Sequence, residues 1–250
     1  MKKLILFITS IITVFTLTAC SSSSSKNKLE EVKSKGKIVL GVSPDYAPYE
    51  FLTTENGNKK VVGADIYLAE QIAKKLGVEV EIQEMGFDSL IASLNANKVD
   101  MVISGINPTD ERKKAVDFSD VYYTGKGIFV VNKDSDEIKS VDDLKNKKVG
   151  VQKGSTYETY AKEQLKIDVV LIPDDVAKIA MNKYSDIKIS SFTADNDPEA
   201  TGMAIAFKKG KNDSNKELLE QVNAVIKEIQ EKKEFEQQLD KYAQIAAQSE

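Results

Sequence analysis

Of the 35 basic residues in this 250-residue chain, all but one are lysine; the single arginine is Arg112. Lysine serves a solvated surface charge as well as arginine does. Only the guanidinium presents a planar fork that grips a carboxylate or phosphate through two parallel hydrogen bonds. Arg112 stands in Thr109-Asp110-Glu111-Arg112-Lys113-Lys114, just after an apolar strand-like run. Thr109 reads as an N-cap, and a capping box would place Glu or Gln three residues later, where Arg112 stands. A cation in a helix's first turn opposes the macrodipole unless an anion arrives to share the unpaired N–H groups. The competing reading pairs Arg112 with a neighbouring Asp or Glu. Other chemistries are narrowed by what is missing: there is no histidine, and Cys20 is the sole cysteine. That removes the usual general base and metal ligand and every Ser-His or Cys-His arrangement. It also argues against a zinc or redox centre and rules out an internal disulfide, so no cofactor is expected. A formal net charge of −4, spread without a basic block, argues against nucleic acid as a partner.

The elements that must position Arg112 alternate between strand and helix. Residues 37–42 read as a buried strand that ends in the loop Ser43-Pro44-Asp45-Tyr46-Ala47-Pro48. Ile66, Leu68, Ala69, Ile72, Ala73 and Leu76 follow helical spacing, and Gly77 sits where a C-cap is expected. Residues 78–84 alternate as a strand should, 88–98 read as a helix, and 100–104 as the next strand. This pace implies βαβ units and a mostly parallel sheet. After Tyr122-Tyr123 and a strand at 127–131 the pattern restarts: Lys147-Lys148-Val149-Gly150-Val151 repeats the basic turn and short strand of residues 35–42, with tyrosine in each following loop (Tyr46, Tyr157). The favoured reading is two lobes, each opening with the same strand–loop–helix device; a single parallel sheet holding both copies is the alternative. Open α/β sheets bind ligands at the carboxyl ends of their strands, where these loops lie. A last strand at 201–207 precedes helices at 215–231 and 234–248, whose Leu218, Val222, Val225 and Ile229 form a packing face.

At the amino end, Lys2-Lys3, an apolar stretch at 4–17 and Thr18-Ala19-Cys20 make a signal peptide over residues 1–19, too short for a membrane span. Leu17-Thr18-Ala19-Cys20 resembles the lipobox of bacterial lipoproteins, which implies that Cys20 becomes a lipidated first residue. More than one acyl chain gives stable anchoring. Residues 20–36 then form the lipidated cysteine, a serine-rich tether and a lead-in.

With these pieces in place, the chain resembles the extracytoplasmic solute-binding proteins of ABC importers, in particular the polar amino acid group (family 3). The motifs that carry the resemblance are Gly41-Val42-Ser43-Pro44-Asp45-Tyr46-Ala47-Pro48-Tyr49-Glu50-Phe51, Gly63-Ala64-Asp65, Phe87-Asp88 and Val99-Asp100-Met101-Val102-Ile103-Ser104-Gly105. Asn107-Pro108-Thr109-Asp110-Glu111-Arg112, Val116-Asp117-Phe118-Ser119 and Gly150-Val151-Gln152-Lys153-Gly154-Ser155-Thr156 follow in the same order and spacing.

The resemblance implies an α/β, two-lobed periplasmic-binding-protein-like (type II) clamp, with lobe 1 at 37–125 plus 201–250 and lobe 2 at 126–200. It implies hinge closure about the crossings near Tyr123-Thr124-Gly125 and Ala200-Thr201. Arg112 would hold the ligand's α-carboxylate, joined by Thr156 and Ser155 at a helix start in lobe 2. Ser104 and Asn107 would meet the α-ammonium or donate through their backbone, and Tyr46 and Phe87 would sandwich the ligand side chain, unless they are plain core aromatics. The chain departs from the family after Thr156. Only residues 162–166 precede the strand at 167–172, so about one βα unit of lobe 2 is missing. An alternative alignment takes 167–172 as the earlier strand and loses the later unit. The acid that would hold the α-ammonium falls on Pro173; Asp174 is the substitute, although Asp174 and Asp175 also read as an ordinary helix start.

The function implied is that of a monomeric receptor, lipid-anchored on the extracytoplasmic face of the cell membrane. It would capture a polar L-amino acid and deliver it to an ABC permease, with no enzymatic activity. A non-transport sensor or adhesin, a binding-impaired remnant, and a dehydratase-like enzyme on this fold are the alternatives. Asp45, Glu50 and Asp88 lean toward a polar or basic ligand side chain, or are solvated surface acids.

Overall fold

The computed structural model describes residues 27–134, 139–144, 150–158, 170–193, 201–211 and 213–248. The expected signal peptide, Cys20 and the serine-rich tether lie outside them. The chain runs α1 (Lys28–Lys35), β1 (Lys37–Val42), β2 (Asp45–Tyr46), β3 (Glu50–Glu55), β4 (Asn58–Val62), α2 (Ala64–Leu76), β5 (Glu79–Glu84), a 3-10 turn (Phe87–Ser89) and α3 (Leu90–Asn95). It continues with β6 (Met101–Val102), α4 (Asp110–Ala115), β7 (Val116–Thr124), β8 (Gly127–Asn132), a 3-10 turn (Val141–Leu144), β9 (Val170–Pro173), α5 (Asp174–Lys183), β10 (Ile187–Thr193), β11 (Gly202–Lys208), α6 (Lys216–Glu231) and α7 (Glu234–Gln248).

The first unit is built on a five-stranded sheet ordered β5-β1-β6-β11-β7. Its first three strands are parallel, and β11 pairs antiparallel with both β6 and β7. The period of two along β1 sends Ile38, Leu40 and Val42 to one face, beneath Leu68 and Ile72 of α2 and Leu218 and Val222 of α6, while Val39 joins Leu90 and Leu94 of α3 on the other. A sheet covered on both faces leaves its strand ends as the exposed edges, and the loops after β1, β5 and β6 gather there. The mostly parallel sheet expected from sequence is therefore interrupted by β7 and β11, the strands that leave the unit and return to it.

The second unit holds β8 between β10 and β9, both antiparallel to it. Ile128 and Val130 pack with Ala177 of α5 to form its small core. Residue 150 makes a single bridge, and 145–149 and 167–169 lie outside the described residues, so the proposed second copy of the opening strand cannot be compared with β1. At the crossing, Gly125 N–H donates to Thr201 O (3.2 Å) and Asp174 N–H to Lys126 O (3.0 Å).

Helix limits follow local chemistry. Thr109 caps α4, its Oγ1 accepting from Arg112 N–H at 3.3 Å; Gly77 ends α2 in the left-handed region at φ 72°. The helix expected at 88–98 is shorter, a 3-10 turn followed by α3, and closes at Asn97 with φ 57°. The lead-in at 29–35 is a full helix, α1, clipped to the sheet by the buried Asp100. That carboxylate takes Lys28 Nζ at 2.8 Å and Val39 N–H at 3.0 Å. Burial raises its pKa, but Lys28, the Val39 N–H and Lys35 outweigh that, and the net shift is downward. A depressed pKa contributes stability above the unfolded value of about 3.9, lost as pH falls through the folded one. Asp100→Asn should thus cost about 1–3 kcal/mol at pH 7, with the gap from wild type narrowing below about pH 4; urea unfolding at both pH values measures it.

A candidate ligand cleft between the two sheets

Arg112 projects from the first turn of α4 into the space between the two units. Its Nη1 donates to Asn107 O at 3.0 Å and its Nη2 crosses to Gly154 O at 2.8 Å. The guanidinium carbon lies 5.5 Å from the centre of the Phe87 ring, in cation–π range. Among the described residues no carboxylate forms an ion pair with it, so the pairing with a neighbouring Asp or Glu is not what the structure shows. Burial holds its pKa down at about 10, partly offset by Glu111. Bonded among the described residues only to carbonyls, this desolvated guanidinium is poised to exchange neutral acceptors for a charged one.

The loop at 150–156 brings the second unit onto the same spot. Thr156 opens a helical turn at 156–158, and its hydroxyl donates to Asn107 Oδ1 at 3.1 Å. Ser155 Oγ accepts from Glu158 N–H at 3.1 Å, so its hydroxyl caps that turn. Asn107 is committed on every side, its Nδ2 donating to Gly202 O at 2.8 Å. The Ser104 hydroxyl points away from the cleft, accepting from Ser43 N–H at 3.1 Å and donating to Glu50. Two further contacts span the units: Lys153 Nζ with Asp88 Oδ2 at 2.8 Å, and Gln152 Nε2 with Asp45 Oδ1 at 3.1 Å.

Tyr46 stacks on Tyr49 with ring centres 5.4 Å apart. Facing these rings, Asp175 accepts from the Tyr49 hydroxyl and from Val176 N–H (2.9 Å). Burial raises its pKa, the Tyr49 phenol and the Val176 N–H pulling the other way. The phenols of Tyr49, Tyr123 and Tyr157 are all raised, first by burial and then by the charge of Asp175. Asp174, the acid expected from sequence, instead pairs with Lys178 on its own helix at 3.0 Å. Sequence reasoning missed Asp175 and its ring of tyrosines, although the doubled acid after Pro173 was the signal. Of the acids grouped at the cleft, Asp45 and Asp88 are exposed, while Glu50 is fully buried beside Asp65. Among the described residues no group of three or more His, Cys, Asp or Glu could hold a metal.

Residues 38–245 match the family described as bacterial extracellular solute-binding proteins, family 3. The chain belongs to that family. It is 39% identical to the arginine-binding extracellular protein ArtP of Bacillus subtilis, over 94% of this chain and 96% of that one. It is 31% identical to a probable histidine-binding protein of Campylobacter jejuni, over 97% and 99% of the two chains. Among solved structures, the amino acid ABC transporter substrate-binding protein AbpA of Streptococcus pneumoniae, bound to L-arginine, is 37% identical, with a TM-score of 0.80 over 87% of this chain and 98% of that one. The fold is thus the two-lobed type II clamp, and the first and second units are its lobes.

As a family 3 solute-binding protein, the chain brings its lobes together at a point that favours glycine. Gly154 has φ +79°, and a Cβ there would stand 3.1 Å from Asp88 Cα, a backbone atom of the opposite lobe. The left-handed conformation costs an alanine about 1–2 kcal/mol, and the close approach opposes closure further. Gly154→Ala should cost the ligand-free fold about 1–2 kcal/mol through the backbone conformation, and should weaken ligand binding as well, because the contact with Asp88 is relieved only by opening. Calorimetric titration beside thermal unfolding separates the two effects.

Proposed function

We propose that this solute-binding protein captures a basic L-amino acid, L-arginine foremost, and delivers it to the permease of an ABC importer. The observation that carries the reading is the guanidinium of Arg112, desolvated and without a countercharge among the described residues, at the meeting of both lobes. An α-carboxylate would replace the carbonyls of Asn107 and Gly154 on its two N–H edges, with Thr156 beside it. The α-ammonium would go to Asp175, which geometry favours over Asp174. Tyr46 and Phe87 would flank the aliphatic stem, and a cationic head would reach the exposed Asp45 side of the cleft. The names of ArtP and of the arginine-bound AbpA support the choice of arginine.

Closure would desolvate the carboxylate between the lobes, so that the full set of contacts exists only in the shut form. The cross-lobe bonds of Thr156, Lys153 and Gln152 support a second lobe that still closes, despite the missing βα unit read from sequence. The 259 positions aligned with ArtP exceed the 250 residues of this chain, which agrees with a deletion. Cys20 would carry the lipid anchor, holding a monomer at the extracytoplasmic face of the membrane.

The test is thermal unfolding of the purified protein with each of the twenty L-amino acids at millimolar concentration. At a hundredfold excess over Kd, binding adds about 2.7 kcal/mol, a rise of roughly 5–10 °C for a chain of this size. L-arginine should give the largest shift. No shift from any amino acid would overturn the reading and favour a binding-impaired remnant.

A further inference from the structure

Behind the loop that carries Ser104 and Asn107 lies a polar cluster that the ligand contacts proposed above do not use. Glu50, at the start of β3, and Asp65, in the first turn of α2, are both 0% exposed. Ser104 donates its hydroxyl to Glu50 Oε1 while accepting from Ser43 N–H at 3.1 Å. Gly105 N–H donates to Asp65 Oδ2 at 2.9 Å, and the Tyr122 hydroxyl lies 3.0 and 3.1 Å from the two oxygens of the same carboxylate. The loop is therefore held from behind at two consecutive residues, one by each acid. Its position matters at the front: Gly105 has φ +54°, and the Tyr46 ring comes within 3.1 Å of the place a Cβ would occupy.

Glu50 Oε2 is buried with no hydrogen-bond partner. The groups that face the pair are Asp45, Tyr46 and Tyr49 from the β1–β3 segment, Ser104 and Gly105 after β6, Tyr122 from β7, and Asp175 from lobe 2. Among the described residues none of them is a cation. Two carboxylates in one dry site do not both ionise. Asp65 already receives the Gly105 and Tyr122 donors and is the better seat for the charge. A proton on Glu50 Oε2 then gives that orphan oxygen an acceptor, Asp65. Burial first, then the Asp65 charge, pushes Glu50 well above the usual carboxylate range; burial takes Asp65 up only to about 6, restrained by the Gly105 N–H, Glu50 and Tyr122.

We propose that Glu50 and Asp65 share one proton and act as positioning residues that hold Ser104–Gly105 in the ligand-receiving geometry. The holding role rests on the reading of this loop as part of the ligand cleft; the shared proton does not. The sign of the linkage follows. The folded protein keeps a proton on Glu50 that the unfolded chain loses above about pH 4.3, so this group's stability contribution is whole below that pH and is lost as pH rises toward the folded value. Glu50→Gln keeps an acceptor for Ser104, offers an N–H to Asp65 and has no proton to lose.

Three measurements on the purified protein test this. In ligand-free urea unfolding between pH 5 and 8, the wild-type unfolding constant should rise with pH relative to Glu50→Gln, by up to tenfold per unit; parallel curves overturn the shared proton. In titrations with L-arginine, Glu50→Gln should bind within about threefold of wild type, while Glu50→Met, similar in volume but unable to accept from Ser104, should lose tenfold or more; equal losses overturn the positioning role. Amide exchange at Gly105 reads the loop without any ligand. It should stay slow in wild type and Glu50→Gln and become at least tenfold faster in Glu50→Met, whereas equal rates in all three overturn the holding role. If L-arginine fails to bind wild type, the ligand assignment falls, and the unfolding and exchange results still decide this proposal.

Discussion

Arg112→Lys is expected to weaken L-arginine binding by about ten- to a hundredfold, and Arg112→Ala by more. The guanidinium reaches Asn107 O and Gly154 O with two separate N–H edges, so a carboxylate seated there is held by two bonds fixed in one plane. A lysine places a single point charge at the end of a flexible stem and cannot match both. One charge-assisted hydrogen bond contributes about 1.5–3 kcal/mol, which sets the lower range. Removing the charge leaves the ligand carboxylate buried without a partner, a loss of about 2–5 kcal/mol. The ligand-free protein should respond less. Arg112 has no ion pair to lose among the described residues, and its burial disfavours its own charge, as its lowered pKa of about 10 records. Its removal should cost the unliganded fold about 1–3 kcal/mol, for two hydrogen bonds to carbonyls at net values of about 0.5–1.5 kcal/mol each, partly offset by relief of the guanidinium's own desolvation. Titration calorimetry together with ligand-free unfolding would measure both. Unchanged affinity in Arg112→Lys would remove this residue from the site, and a collapse of ligand-free stability would make it a structural arginine.

The parts of this arrangement that were legible in the sequence are those set by local chemistry. Arg112 stood out because the composition holds no other guanidinium, and its helix could be placed because Thr109 caps it. The limits of α2 followed from helical periodicity and from Gly77, which alone tolerates the left-handed turn at no cost. What was not legible depends on contacts between distant segments. Glu50 read as a possible cleft acid because its burial is set by Asp65 and Ser104, both far along the chain, and no local pattern reports that pairing. Gly154 entered the sequence reading only as part of the motif Gly150–Thr156; its closeness to the backbone of Asp88 across the cleft has no local signal. The antiparallel pairing of β11 with β6 and β7 was likewise hidden, because strand propensity says nothing of the direction in which a returning segment enters a sheet. The sequence reading took Asp174 rather than Asp175 with no local signal to separate them: adjacent residues in a helix's first turn point about 100° apart, and sequence cannot say which direction faces the cleft.

That choice carries the second large effect. Asp175→Asn is expected to weaken L-arginine binding by about thirtyfold to several thousandfold, and Asp174→Asn to leave it nearly unchanged. Asp174 is paired with Lys178 one turn along its own exposed helix face, an interaction of about 0–1 kcal/mol. Asp175 is enclosed by Tyr49, Tyr123 and Tyr157, and its carboxylate is bonded to a phenol and a backbone N–H but to no cation among the described residues. An arriving α-ammonium would supply the missing charge, and its loss from a buried pair costs about 2–5 kcal/mol. The asparagine keeps the size and an acceptor for Val176 N–H, and its amide can donate to the Tyr49 oxygen in place of accepting from it, so the main change is the loss of charge. Protonation should mimic it. Because burial raises the pKa of Asp175, a proton competes with the ammonium at a pH above the usual carboxylate value of about 3.9. Affinity of the wild type should therefore fall as pH is lowered from 7 toward that range. In Asp175→Asn this component should be absent, leaving whatever dependence Glu50 and Asp65 contribute. Titrations of both variants at pH 7 and pH 5 decide the matter: a larger loss in Asp174→Asn than in Asp175→Asn would reverse the assignment, and an unchanged pH dependence in Asp175→Asn would mean that the acid is not titrating against the ligand.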